Sequence, residues 1–247
     1  MRLHGATAWV IGASSGIGAA LARELDSRGA KVAVSARRAD RLDDVAASRM
    51  LVVPMDVTDV AQTSAAAERV RVELGDIDLV VLAAGYWKQM RPRDWDVGTF
   101  NRHLDVNLVG MNNAIAAVLP PMLKRGSGVI AGIASVAGYR GLPGAEAYGA
   151  TKAAQINMLE ALRAHVRSSG VHVTTICPGF VRTELTDNND FPMPFMIEPD
   201  DAARAICAGL ERDRAVIAFP LQMAILARVS RLVPARMWSR LFGRVAA

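Results

Sequence analysis

Short runs rich in Val, Ile, Leu and Ala recur along the whole chain, and between them lie longer stretches with apolar residues every three or four positions. Runs at residues 6–11, 31–35, 50–54, 78–82, 128–134, 171–177 and 215–219 read as strands. Several are apolar at nearly every position, as parallel strands must be when helices cover both faces of their sheet. Helical periodicity runs through residues 17–28, 61–74, 97–124, 147–168 and 202–211. Repeated strand–helix alternation gives a parallel sheet, because each return to the same edge needs a right-handed crossover. The 247 residues suffice for one large domain and are short for two. The expected fold is α/β, a single doubly wound Rossmann-type domain with a central parallel sheet of about seven strands and helices on both faces. It spans residues 1–219, and residues 220–247 form a basic amphipathic helical extension.

Composition narrows the function classes. The chain is 51% hydrophobic and 21% charged, which argues against disorder. Five arginines and no acidic residue follow Pro220, equal to the whole net charge of +5, so residues 1–219 are balanced. A basic tail on a neutral domain is not a nucleic-acid footprint, and no nucleic-acid partner is expected. Cys177 and Cys207 lack CxxC spacing and read as buried reduced thiols. The chain starts directly on an apolar strand without a signal-like segment, and no uninterrupted apolar run approaches the roughly 20 residues of a spanning helix. A cytoplasmic protein is expected. His4, His103, His165 and His172 form no HxxxH or HExxH pair, so no metal site is expected.

The stretch Ile11-Gly12-Ala13-Ser14-Ser15-Gly16-Ile17-Gly18 joins the first strand to the first helix. Glycines there let the backbone approach a pyrophosphate, and a helix N-terminus offers free N–H groups and a positive dipole end. Gly12, Ser14, Ser15, Gly16, Ile17 and Gly18 are therefore candidate phosphate-cradle residues. At the end of the second strand an acidic residue would hold the adenosine ribose and repel a 2′-phosphate. The chain has Ala36 followed by Arg37 and Arg38. Guanidinium groups bind phosphate through charge-assisted bonds, which favours NADP(H) over NAD(H), the alternative being a solvated basic loop.

Tyr148 and Lys152, four apart, share one face of a helix. A free phenol titrates near 10, and a neighbouring ammonium is expected to lower it into the range useful for general acid–base catalysis. Ser135 ends the fifth strand, thirteen residues upstream of Tyr148, where its hydroxyl can meet a substrate oxygen.

Taken together, residues 5–220 resemble the short-chain dehydrogenase/reductase family. The resemblance implies that Gly12, Gly16 and Gly18 form the cofactor turn and that Asp56, with Val57 beside it, contacts the adenine. Ala83, Ala84 and Gly85 stand at the family's Asn-Asn-Ala-Gly segment. Pro178, Gly179, Val181 and Thr183 match the stretch that wraps the nicotinamide carboxamide. Asn107, Ser135, Tyr148 and Lys152 match the four catalytic residues; Asn107 is implied to interrupt its helix so that a backbone carbonyl holds a water. Tyr148 and Lys152 also contact the cofactor ribose by this resemblance. The implied activity is hydride transfer between nicotinamide and a carbonyl or secondary alcohol, in a homo-oligomer. Two departures stand out: Ile11 replaces a threonine and Ala83 an asparagine, changes that weaken cofactor binding or reflect local repacking.

Several readings stay open. Tyr86 and Trp87 either line the substrate cleft or serve as packing residues. Residues 179–199, with Phe191, Met193, Phe195 and Met196, form either an apolar lid or a surface loop. The lid favours a hydrophobic small-molecule substrate. The tail, with Ile225, Leu226, Val229, Leu232, Trp238, Leu241 and Phe242 among its arginines, either meets a membrane peripherally or packs on the domain or another subunit. The alternative to an enzyme is a non-catalytic NADP(H)-binding regulatory or membrane-surface scaffold protein on the same fold.

Overall fold

The computed structural model describes residues 1–187, 189 and 191–242. Seven strands form one parallel sheet: β1 (Thr7–Ile11), β2 (Lys31–Ser35), β3 (Leu51–Val52), β4 (Leu79–Leu82), β5 (Gly128–Ile133), β6 (Val171–Pro178) and β7 (Val216–Phe219). Their order is β3-β2-β1-β4-β5-β6-β7, with every neighbouring pair parallel. The helices are α1 (Gly16–Ser27), α2 (Ala39–Ala46), α3 (Val60–Leu74), α4 (Val97–His103), α5 (Gly110–Arg125), α6 (Glu146–His165), α7 (Pro199–Glu211), α8 (Leu221–Ser230) and α9 (Ala235–Phe242).

Both faces of the sheet are dry, which explains the unbroken apolar runs. In β1, Ala8 and Val10 join one core, with residues of α1, α2 and α7. Trp9 and Ile11 join the other, with residues of α3, α5 and α6. The pleat sends successive side chains to opposite faces, so each strand serves two cores. Trp9 is fully buried, and its indole N–H donates to Ser35 Oγ at 2.8 Å, so its polar edge is satisfied.

Three elements differ from the sequence reading. Helix α2 was not expected, because its apolar face is only Leu42, Val45 and Ala46 among Arg and Asp. Strand β3 is two residues long rather than five: Val53 and Met55 still donate to the Val34 and Ala36 carbonyls, but Pro54 between them has no N–H to extend a regular ladder. The single helix that periodicity gives over residues 97–124 is broken by a π-helical turn at Leu104–Val109, at the Asn107 interruption that the resemblance implied. Val97–Arg125 is long and apolar enough to pass for a membrane span, yet Met111, Ala114, Ile115, Val118 and Met122 are buried in the core.

The direction of chain winding reverses between β1 and β4, the strands from which the two halves of the sheet spread. A crevice opens at such a point beyond the carboxyl ends of the strands, and it is where ligands bind in open α/β sheets.

Candidate active site

The glycine turn leaves β1 and enters α1 along the edge of this crevice. Gly12 has φ +89°, and a Cβ there would collide with the backbone of Ala83 and Ala84 at the end of β4. A Cβ on Gly18 would strike the Gly12 carbonyl. Both glycines are therefore demanded by close approach, and Gly12 by its backbone conformation as well. Ser15, the residue before α1, makes no side-chain cap, and the first turn carries no acidic residue. The first N–H groups of α1 thus lack a side-chain acceptor and face an uncompensated positive dipole end.

One cleft gathers the candidates. Gly12, Ser14, Ser15, Gly16, Ile17 and Gly18 line one wall. Arg37, Arg38, Asp56 and Val57 lie at one end, and Ala83, Ala84 and Gly85 below. Ser135, Tyr148 and Lys152 lie with Pro178, Gly179, Val181 and Thr183 across from them. Thr183 sits directly over Gly16, where an added Cβ would come within 2.9 Å of its methyl. Arg38 reaches back to the turn, donating to Ser14 Oγ at 3.2 Å, and pairs with Glu184 at 3.2 Å. Glu184 also lies 3.8 Å from Arg41. Burial pushes the Asp56 carboxyl up, but the N–H and O–H of Thr58, with Arg37 and Arg102 nearby, hold it below its ordinary value.

At the other end, the Tyr148 phenol and the Ser135 hydroxyl line the cleft together, and Ser135 favours the charged form of the phenol. Ser135 Oγ also accepts from the Ala137 N–H at 3.1 Å, which orients it. The Lys152 Nζ lies 5.4 Å from the Tyr148 ring centroid and donates to the Ile133 carbonyl at 2.8 Å. The expected depression of the phenol is not present in this arrangement. Burial pushes Tyr148 up to about 12, against the opposing influence of Ser135. Burial also brings Lys152 down to about 7. The reason is shared desolvation: both groups are enclosed, so each disfavours its own charge more than it supports the other's.

Asn107 stands behind the cleft, in the π turn. Its Oδ1 accepts from the Tyr86 N–H at 2.6 Å, and its Nδ2 donates to the Tyr86 carbonyl at 3.1 Å and to Thr151 Oγ1 at 3.0 Å. Thr151 in turn donates to the Tyr148 carbonyl at 2.8 Å. The end of β4 is thereby tied to the helix carrying the tyrosine. The carbonyl implied to hold a water also accepts from Gln155 Nε2 at 2.5 Å. One of its lone pairs is taken by a buried amide, a consequence of Gln155 lying one turn beyond Lys152 on α6. Gln155 had no sequence signal beyond that spacing. Of the two departures, Ile11 is buried in the core below the turn, and Ala83 packs against the other core as a partly buried apolar residue.

Aromatic groups surround the phenol. Trp87 meets Tyr148 edge-on at 5.1 Å, and its indole donates to Asn189 Oδ1 at 2.8 Å. His103, set aside as a metal ligand, is fully buried with its ring 6.4 Å from Tyr148. Its Nδ1 donates to the Thr99 carbonyl, while its Nε2 accepts from the Lys88 N–H. Burial lowers its pKa, so it is a neutral spacer. Phe191 of the long loop tilts against Phe180 at 6.1 Å, whereas Phe195 is exposed. Asn188 and Asp190 of that loop lie outside the described residues. Glu184, Leu185 and Thr186 also line the cleft, although nothing in their spacing distinguished them.

Comparison with known proteins agrees with this geometry. Residues 6–192 match the family model for short chain dehydrogenases. An uncharacterised oxidoreductase of Myxococcus xanthus is 40% identical over 235 residues, covering 92% of this chain and 92% of that protein. The crystal structure of a short chain dehydrogenase from Burkholderia cenocepacia in complex with NADP superposes with a TM-score of 0.85 at 29% identity, over the full length of both chains. A short chain dehydrogenase/reductase from Burkholderia phymatum in complex with NAD shares the fold, with a TM-score of 0.83 at 22% identity over 92% of this chain and 93% of that one. A family match across three quarters of its length, carried on a glycine-turned parallel sheet with a tyrosine beside a buried lysine, makes this chain a short-chain dehydrogenase/reductase, a family of oxidoreductases.

Proposed function

We propose that the protein is an NADP(H)-dependent oxidoreductase acting on a carbonyl or secondary alcohol of apolar character. The observation that carries this reading is that Tyr148, Ser135 and Lys152 line one cleft together with the glycine turn, the Lys152 Nζ lying 5.4 Å from the Tyr148 ring centroid. The residues present fit a nicotinamide dinucleotide. The uncapped N-terminus of α1 suits its diphosphate. Lys152 has three donors and one protein acceptor, Ile133, which leaves two for ribose hydroxyls. Arg37 and Arg38 suit a 2′-phosphate.

Bound there, the nicotinamide supplies or accepts hydride. Ser135 and Tyr148 donate hydrogen bonds to the substrate oxygen and polarise it toward the transition state. Tyr148 stays protonated at neutral pH, as its raised pKa requires, and so holds the proton that the oxygen gains in reduction. Lys152 offsets negative charge as it develops on the phenol. Asn107 and Thr151 keep α6 in register with β4, so that the phenol does not drift. Trp87 packs edge-on against Tyr148, an apolar neighbour of the phenol that suits a hydrophobic substrate.

The test is a panel of ketones and secondary alcohols assayed by nicotinamide absorbance with all four cofactor forms. NADPH-linked reduction of at least one apolar ketone supports the reading; strict use of NADH, or no turnover with any member, removes it.

A further inference from the structure

The C-terminal helices carry a surface that the catalytic reading does not use. On α8, Met223, Ala224 and Ser230 are buried against the domain. Leu221, Ile225 and Val229, with Leu232 just beyond, follow one another at intervals of four, four and three residues and are all exposed, Leu232 to 82%. At 100° per residue these four side chains fall on the side opposite the buried one, so an apolar stripe points away from the protein. Helix α9 continues it with exposed Met237 and Leu241.

This surface is held firmly. The Trp238 indole donates to the Gly141 carbonyl at 2.8 Å, and the Arg140 guanidinium lies 5.2 Å over its ring. Arg140 also donates to the Val233 carbonyl at 3.0 Å. An exposed stripe on an anchored scaffold is an apolar patch of the kind that marks an interaction site.

Charge selects the partner. Arg231, Arg236 and Arg240 are exposed on the same segment, and among the described residues none is in an ion pair, while Arg228 interacts with Tyr139. No Asp or Glu follows Pro220. A second copy docked by two-fold symmetry would set these arginines against their own equivalents with no carboxylate to answer them. A surface that is both apolar and anionic satisfies both features at once.

We infer that α8 and α9 form a peripheral docking surface for an anionic lipid bilayer. The Leu221–Ile225–Val229–Leu232 stripe enters the headgroup boundary, and the arginines pair with lipid phosphates. This inference does not depend on the cofactor or the substrate.

The full chain is sedimented with vesicles of phosphatidylcholine alone or mixed with phosphatidylglycerol, at low and high salt. Wild type is expected to bind the mixed vesicles at low salt and to leave them at high salt. Ile225→Asp with Val229→Asp, or Arg231→Glu with Arg236→Glu, is expected to weaken partition about tenfold or more with the thermal melt unchanged. Should the aspartate pair unfold, the arginine pair and the salt response of wild type decide alone. No binding to mixed vesicles at low salt overturns the inference. So does equal binding to the neutral vesicles. Self-association abolished by the aspartate pair, with vesicle binding unaltered, overturns it in favour of a second copy.

Discussion

Tyr148 and Lys152 illustrate how burial sets the terms at single residues. Replacing Tyr148 with Phe removes the proton without altering the ring that Trp87 packs against. We expect turnover to fall about 10²-fold or more while NADPH binding, read by fluorescence, stays measurable. Activity above about a tenth of wild type would falsify the assignment of the proton donor. Lys152 gives a stability prediction with a definite sign. Its folded value, about 7, lies below the roughly 10.4 of an unfolded chain, so the folded state disfavours the ammonium. The cost to stability is therefore full below pH 7 and fades as pH rises from about 7 toward about 10. Lys152→Met should melt higher than wild type by several degrees at pH 6, with the gap narrowing as pH rises through 9 toward 10, while losing activity. A constant gap across that range rejects the burial argument. At the far end of the cleft, Ala36→Asp with Arg37→Ala should move the ratio of kcat/KM for NADPH over NADH toward NADH by about tenfold or more. An unchanged ratio rejects the proposed phosphate selection.

Elements matter where one must hold another. The π turn at Leu104–Val109 lets Asn107 reach the end of β4 and α6 together, and Gly110 immediately after it abuts Val57, where a Cβ would come within 2.6 Å of Cγ1. π turns inside α-helices often sit at functional sites for this reason, since the extra residue redirects a side chain. The segment after β6 is held in two places: Glu184 pairs with Arg38 and Arg41, and Asn189 accepts from Trp87. The carboxylate of Glu184 competes for the same guanidinium that a 2′-phosphate would use. Glu184→Gln should tighten NADPH several-fold and leave NADH unchanged, as read by titration of each cofactor. Equal changes for both would show that Glu184 acts on the loop alone and not on phosphate.

For the molecule as a whole, the tail is part of the cleft's support as well as a surface. Met223 of α8 lies over Gly179, and Ala224 beside it is buried. A truncation after Phe219 would uncover the Pro178–Gly179 wall, so it should lower Tm by several degrees and weaken cofactor binding together. Tail deletion therefore cannot separate location from activity; outward substitutions at Ile225 and Val229 can. If the truncated chain melts and binds cofactor like the intact one, α8 is dispensable to the cleft.

Local pattern alone determined the α/β class, six of the seven strands to within a residue at each end, and the glycine turn and the Tyr148–Lys152 pair, while the family resemblance supplied the other candidates. The cause is that a strand buried on both faces must be apolar at every position, and a turn meeting phosphate must be glycine-rich, whatever lies elsewhere. Tertiary structure alone decided the rest. Helix α2 takes its order from three apolar residues meeting a distant core, and the partners that hold the π turn, Tyr86 and Thr151, are visible only in the folded chain. The titration of Tyr148 and Lys152 follows from enclosure by elements far apart in the chain, as does the Glu184 pairing with Arg38. Burial and long-range contacts are sums over neighbours brought together by folding, and no window of sequence contains them.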